Sequence, residues 1–91
     1  MLSKRIKQLR LSFNLNQVEF ANKLSITKQT VSNWENNNIM PSIDMLIKIA
    51  DFFGVTTDYL LGRDEKRLID VSHLTDNQIA HLSMIIDDLS K

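Results

Sequence analysis

Residues 25–37 read SITKQTVSNWENN, and this stretch decides the fold. With Lys28 at zero and about 100° per residue, Ser32, Asn36, Gln29 and Asn33 fall near 40°, 80°, 100° and 140°. Trp34 and Val31 fall near 240° and 300°, on the opposite side. The spacing predicts a helix from Lys28 to about Asn36, capped by Thr27, that anchors through Val31 and Trp34. Its outward face is Lys, Gln, Ser and Asn. An ordinary solvent face would carry more Glu and Lys, which are better helix formers. These side chains suit base edges instead: Lys pairs with guanine O6/N7, and Gln or Asn with adenine N6/N7.

Upstream, QVEFANKL (17–24) forms a shorter helix capped by Asn16, with Phe20, Ala21 and Leu24 facing inward. Two short helices joined by the tight break Ser25-Ile26-Thr27 make a helix-turn-helix, whose second helix enters the major groove of DNA. Before it, Leu2, Ile6, Leu9 and Phe13 recur at helical spacing over residues 2–13. After it, PSIDMLIKIADFFG (41–54) is a helix capped by Ser42 and stopped by Gly54. Its apolar positions cover about 220° of arc, which predicts a central place in the core. TTDYLLG (56–62) gives a one-turn helix capped at Thr57 and stopped at Gly62.

A charged linker follows over 63–73. The last segment, 74–91, restarts a helix with a capping box, Thr75 and Gln78. Ile79, Leu82, Ile86 and Leu89 repeat in a three-four-three rhythm with Ile85 beside them, a short heptad-like seam. The expected architecture is all-α: five helices over 1–62, a linker, and a C-terminal helix suited to dimerisation.

The 91 residues carry no formal net charge, but the charge is uneven. Residues 1–33 hold six cations, Lys4, Arg5, Lys7, Arg10, Lys23 and Lys28, against Glu19, a net of +5. Residues 34–62 hold Lys48 against Glu35, Asp44, Asp51 and Asp58, a net of −3; residues 63–91 carry −2, four cations against six anions. A local basic patch is what phosphate contact needs, while a neutral total predicts modest non-specific affinity. With no cysteine, thiolate metal sites are excluded and a reducing compartment suits the chain. No leader or membrane span is readable, so the expected location is the cytoplasm with no membrane partner. His73 and His81 share no helix-turn face, and Asp87-Asp88 has no base or pocket beside it. Neither a metal, a cofactor nor a catalytic centre is expected.

The stretch QVEFANKLSITKQTVSNWENN resembles the signature of the phage-repressor type (Cro-like, XRE) helix-turn-helix transcription regulators. The resemblance extends from RIKQLR through PSIDMLIKIADFFGVTTDYLLG and covers residues 1–62. It implies a lambda-repressor-like domain that binds double-stranded DNA, and a dimer on a two-fold operator. By position it implies base reading by Lys28, Gln29 and Asn33, with Ser32 between them. It also implies phosphate contact at Gln17 with Asn16 beside it, and at Thr27 and Asn36 flanking the groove. Ala21 is the small residue between the two helices. The family pattern further implies a partly buried ion pair between Arg10 and Glu35. Two positions depart from it: glycine is usual where Ser25 and Asn37 stand, so Ser25 is expected to bear strain or shift the turn.

The function expected is a sequence-specific transcriptional regulator of the repressor kind, not an enzyme. The alternative is an antitoxin or adaptor module whose C-terminal helix grips a partner protein. An adaptor surface on the third helix would need apolar residues there, and that face has none.

Overall fold

The computed structural model describes residues 2–66 and 71–90. Residues 67–70 of the expected linker lie outside the described residues, as do Met1 and Lys91. Six helices follow one another: α1 (Leu2–Ser12), α2 (Gln17–Leu24), α3 (Lys28–Glu35), α4 (Ile43–Phe53), α5 (Thr57–Leu60) and α6 (Asp76–Leu89). No strand occurs among the described residues. The fold is all-α, a lambda-repressor-like helix-turn-helix arrangement with an added C-terminal helix.

Each of the first five helices ends the same way. The residue after the last turn takes positive φ: Asn14 (57°), Ser25 (58°), Asn37 (58°), Gly54 (67°) and Gly62 (75°). Each donates its N–H three residues back, and the next residue donates five back, as in Ser25 to Asn22 O (3.2 Å) and Ile26 to Ala21 O (2.9 Å). This is the Schellman arrangement, which satisfies carbonyls the helix end would otherwise leave bare. The residue that follows turns inward: Leu15 and Ile26 are half-buried, Val55 is buried. A left-handed conformation is unfavourable for serine, so the turn between α2 and α3 keeps its geometry and holds the strain in Ser25.

The core draws on α1 to α5. Ile6 and Leu9 of α1 meet Phe20, Ala21 and Leu24 of α2, Val31 and Trp34 of α3, Ile49, Ala50 and Phe53 of α4, then Val55 and Leu60. Phe13, Phe20, Phe52 and Phe53 form an aromatic group, with Phe13 edge-on to Phe53 at 4.9 Å and Phe20 stacked on it at 5.2 Å. Burying such side chains contributes about 1.5–3 kcal/mol each, which suffices for a small domain without staples.

Some expected details differ. α1 ends at Ser12, and Phe13 lies in the turn, packing its ring while part of it stays exposed. α5 is capped by Thr56, whose Oγ1 accepts from Tyr59 N at 3.0 Å, so Thr57 is its first residue. Of two adjacent threonines, Thr56 is the one with extended backbone three residues before that N–H. α4 is less central than its wide apolar arc predicts: Ile43 and Ile47 are 75% and 48% exposed. Ile49, Ala50 and Phe53 are buried and Met45 and Phe52 pack partly buried beside them, because one helix presents a single side to a core this small.

Candidate nucleic-acid interface

α2 and α3 are fixed first by their starts. Asn16 Oδ1 accepts from Glu19 N (2.8 Å) and Glu19 Oε1 accepts from Asn16 N (2.9 Å), a reciprocal capping box. Thr27 Oγ1 accepts from Thr30 N at 3.2 Å. The α2 end receives a cation as well: Lys48 Nζ from α4 donates to Leu24 O at 2.7 Å. A lysine there complements the negative end of the helix dipole and ties the turn to α4. The spacing of Leu24 and Lys48 in the chain carries no signal of this bond.

α3 is seated by Val31 and Trp34, which are 0% and 3% exposed. On its other side Lys28, Gln29 and Asn36 are exposed, and Ser32 and Asn33 half-buried. Two bonds run along that side. Gln29 Nε2 donates to Asn33 Oδ1 (3.1 Å), and Asn36 Nδ2 donates to Ser32 Oγ (3.3 Å). Such pairs four residues apart hold side chains in one arrangement on the helix surface. Lys28 has no ion-pair partner among the described residues.

Glu35, the one anion of α3, is drawn away from this face. Arg10 Nε donates to its Oε2 at 2.7 Å and Arg10 Nη2 to its Oε1 at 3.0 Å, a two-pronged pair. Their side chains are 8% and 3% exposed. Arg10 Nη1 donates to Leu15 O (2.8 Å), and Gln17 Nε2 reaches Glu35 Oε1 (3.2 Å). Among the described residues no buried side-chain nitrogen or oxygen lacks a partner. The Gln17 bond joins the start of α2 to the end of α3. Sequence reasoning missed it, since it depends on how the two helices cross.

The sequence-predicted residues thus fall into three places. Lys28, Gln29, Ser32 and Asn33 share the outward side of α3, with Asn36 at its end. Asn16, Gln17 and Thr27 sit at the starts of the two helices, where unpaired backbone N–H groups point outward. Arg10 and Glu35 lie beneath. Beyond Asn36 the chain turns back so that Asn38 N donates to Asn33 O at 2.9 Å. Ile39 N also reaches Asn33 O at 3.4 Å, and the side chains of Ile39 and Met40 are 58% and 64% exposed. Among the described residues no group of acidic and histidine side chains could hold a metal, and no helix is long and apolar enough to cross a membrane.

Two short crossed helices, the second with a carboxylate-free polar side, define a helix-turn-helix module. The helix-turn-helix family matches residues 6–60, and the chain belongs to that XRE-type helix-turn-helix family. It is 42% identical over 64 residues to the HTH-type transcriptional regulator ImmR of Bacillus subtilis, a match covering 70% of this chain and 50% of ImmR. It is 32% identical over 68 residues to the cryptic phage CTXphi transcriptional repressor RstR of Vibrio cholerae, covering 75% of this chain and 61% of that protein. Another relative, from Enterococcus faecalis, is named a transcriptional activator and is 35% identical over 63 residues, 69% of this chain and 31% of that protein. The matched stretch spans about half the length of ImmR. The fold is also that of a crystal structure of a transcriptional regulator from Listeria innocua, with a TM-score of 0.66 at 20% identity, over 98% of this chain and 92% of that one.

Proposed function

We propose that this protein is a sequence-specific regulator that places α3 in the major groove of double-stranded DNA and represses transcription as a dimer on a two-fold operator. Lys28, Gln29, Ser32 and Asn33 meet base edges. Gln17, Asn16, Thr27 and Asn36 meet phosphates on either side of the groove, where backbone N–H groups at the helix starts add donors. Gln17 gives one amide hydrogen to Glu35 and keeps the second for a phosphate oxygen.

The observation that carries this reading is the sorting of charge on α3. Its one carboxylate is buried against Arg10, while its outward side holds only donors and amides able to read bases. With Lys28 as the one cation there, affinity depends more on base contacts than on charge, and specific binding stands well above non-specific. Repression follows from occupancy: a helix lodged in the groove blocks other proteins from the same base pairs. Dimerisation through Ile79, Leu82, Ile85, Ile86 and Leu89 supplies the second half-site that a short reading helix needs.

The test is selection from random duplex DNA with the full chain, followed by a reporter carrying the selected site. A palindromic consensus with half-sites about one helical turn apart, and reduced reporter output, are the expected results. Recovery of single, unpaired half-sites would remove the dimer, and raised output would reverse the sign.

A further inference from the structure

Gln29 and Asn33 stand one turn apart on the outward side of α3, and their amides are joined. Gln29 Nε2 donates to Asn33 Oδ1 at 3.1 Å. Side chains at this spacing leave the helix about 5–6 Å apart, so the bond draws their ends together. Asn33 is the anchored member. It is half-buried, and its backbone carbonyl accepts from Asn38 N at 2.9 Å and from Ile39 N at 3.4 Å. Gln29 is exposed, and a free glutamine loses much rotamer entropy when it is fixed on a base. The bond to Asn33 orders that side chain before DNA arrives. We propose that Gln29 and Asn33 read a single base pair jointly, and that this pair is A·T or T·A. This rests on the placement of α3 in the major groove proposed above and specifies what these two residues select there.

The identity of the pair follows from the order of donors and acceptors. Two amides joined by one hydrogen bond present an alternating row. Gln29 Oε1 accepts, Gln29 Nε2 donates, Asn33 Oδ1 accepts and Asn33 Nδ2 donates. Gln29 Nε2 keeps a second hydrogen and Asn33 Oδ1 a second lone pair, so the bond between them exhausts neither. In the major groove an A·T pair shows acceptor, donor, acceptor, from adenine N7, adenine N6–H and thymine O4. A G·C pair shows acceptor, acceptor, donor, from guanine N7, guanine O6 and cytosine N4–H.

The amide row holds two windows of three groups. Acceptor-donor-acceptor fits neither pair in full. Donor-acceptor-donor, from Gln29 Nε2 through Asn33 Oδ1 to Asn33 Nδ2, fits A·T throughout. Against G·C the same window sets Asn33 Oδ1 on guanine O6 and a donor on the cytosine amino group. Spacing agrees as well. Inside the pair, adenine N6 and thymine O4 are joined by an N–H···O bond of about 2.9–3.0 Å. Gln29 Nε2 and Asn33 Oδ1 match that spacing at 3.1 Å. Asn33 then covers adenine N6–H and one neighbouring acceptor, and Gln29 Nε2 covers the other. The window runs alike from either end, so it separates A·T from G·C strongly and A·T from T·A weakly.

Neither side chain belongs to the core, and alanine is a good helix former, so alanine variants keep the fold, which helical circular dichroism checks. Sites are selected from random duplex DNA with the full chain and with its Gln29→Ala and Asn33→Ala variants, then titrated. Both variants are expected to relax preference at the same base pair, one that the unmodified chain holds as A·T or T·A. Placing G·C there should weaken the unmodified chain at least about tenfold. The double variant should bind within about threefold of the weaker single variant, because either loss alone breaks the row. Replacing that adenine by 7-deazaadenine, which lacks the N7 acceptor, should weaken the unmodified chain several-fold and the double variant hardly at all. Relaxation at two different pairs, losses that multiply in the double variant, a shared pair that is G·C, or indifference to 7-deazaadenine would each overturn joint reading and leave α3 as the reading helix. An unmodified chain with no sequence preference would remove base reading itself, and joint reading with it.

Discussion

Removing Glu35 should unfold much of what holds the reading helix in place. In Glu35→Ala, Arg10 loses its Nε and Nη2 acceptors and keeps only Leu15 O, while remaining almost wholly buried. Breaking a buried pair from one side costs about 3–5 kcal/mol, because the remaining charge stays desolvated. Arg10→Met leaves Glu35 with the Gln17 amide alone, at a similar cost. A chain of this size has about 5–14 kcal/mol of stability in all, so either change consumes a large part of it. At about 4–8 °C per kcal/mol, a loss of 3 kcal/mol lowers the melting temperature by about 12–24 °C. The double variant Arg10→Met, Glu35→Ala removes both charges, and it should lose far less than the two single losses added together. Urea unfolding followed by helical circular dichroism measures all four corners of this cycle. Losses that add within about 0.5 kcal/mol would show the pair to be uncoupled, and would return Arg10 and Glu35 to consideration as DNA contacts.

Three further outcomes test the face itself. Gln29→Ala or Asn33→Ala should cost about 1–3 kcal/mol on the selected site and relax preference at one base pair; equal losses on random DNA would mean backbone contact only. Gln17→Ala should weaken binding to all duplexes alike without reordering them, and Lys28→Ala should lower the salt slope by about one unit if its ammonium meets a phosphate, both read from titrations at several salt concentrations. Ser25→Gly should raise stability by about 0.5–1 kcal/mol in urea melts, the relief of a left-handed serine set against the greater freedom of glycine in the unfolded chain; a loss would show that the serine conformation is not strained.

How far the sequence carries these conclusions depends on whether a signal is local. Caps and periodicity are local, which is why Asn16, Thr27, Ser42 and Thr75 stand as caps where their side-chain chemistry and spacing put them. The polar row on α3 is local too, since one helix carries all of it. Helix ends are half legible: glycine announces Gly54 and Gly62, but Asn14 and Ser25 close their helices in the same conformation without that signal. Crossings between helices are not local. Lys48 on Leu24 O and Gln17 on Glu35 join residues far apart in the chain, and no spacing rule marks them. The Arg10–Glu35 pair also joins distant positions and became legible only through the resemblance. Apolar arc is the opposite case, plainly visible and easily misassigned. α4 and α6 both show isoleucines in helical rhythm, yet rhythm does not say which side is covered or by what. On α4 the answer is the core for one stripe and open surface for Ile43 and Ile47. On α6 the chain's own core supplies no cover for Ile85, Ile86 and Leu89 among the described residues, although their rhythm matches that of a buried stripe.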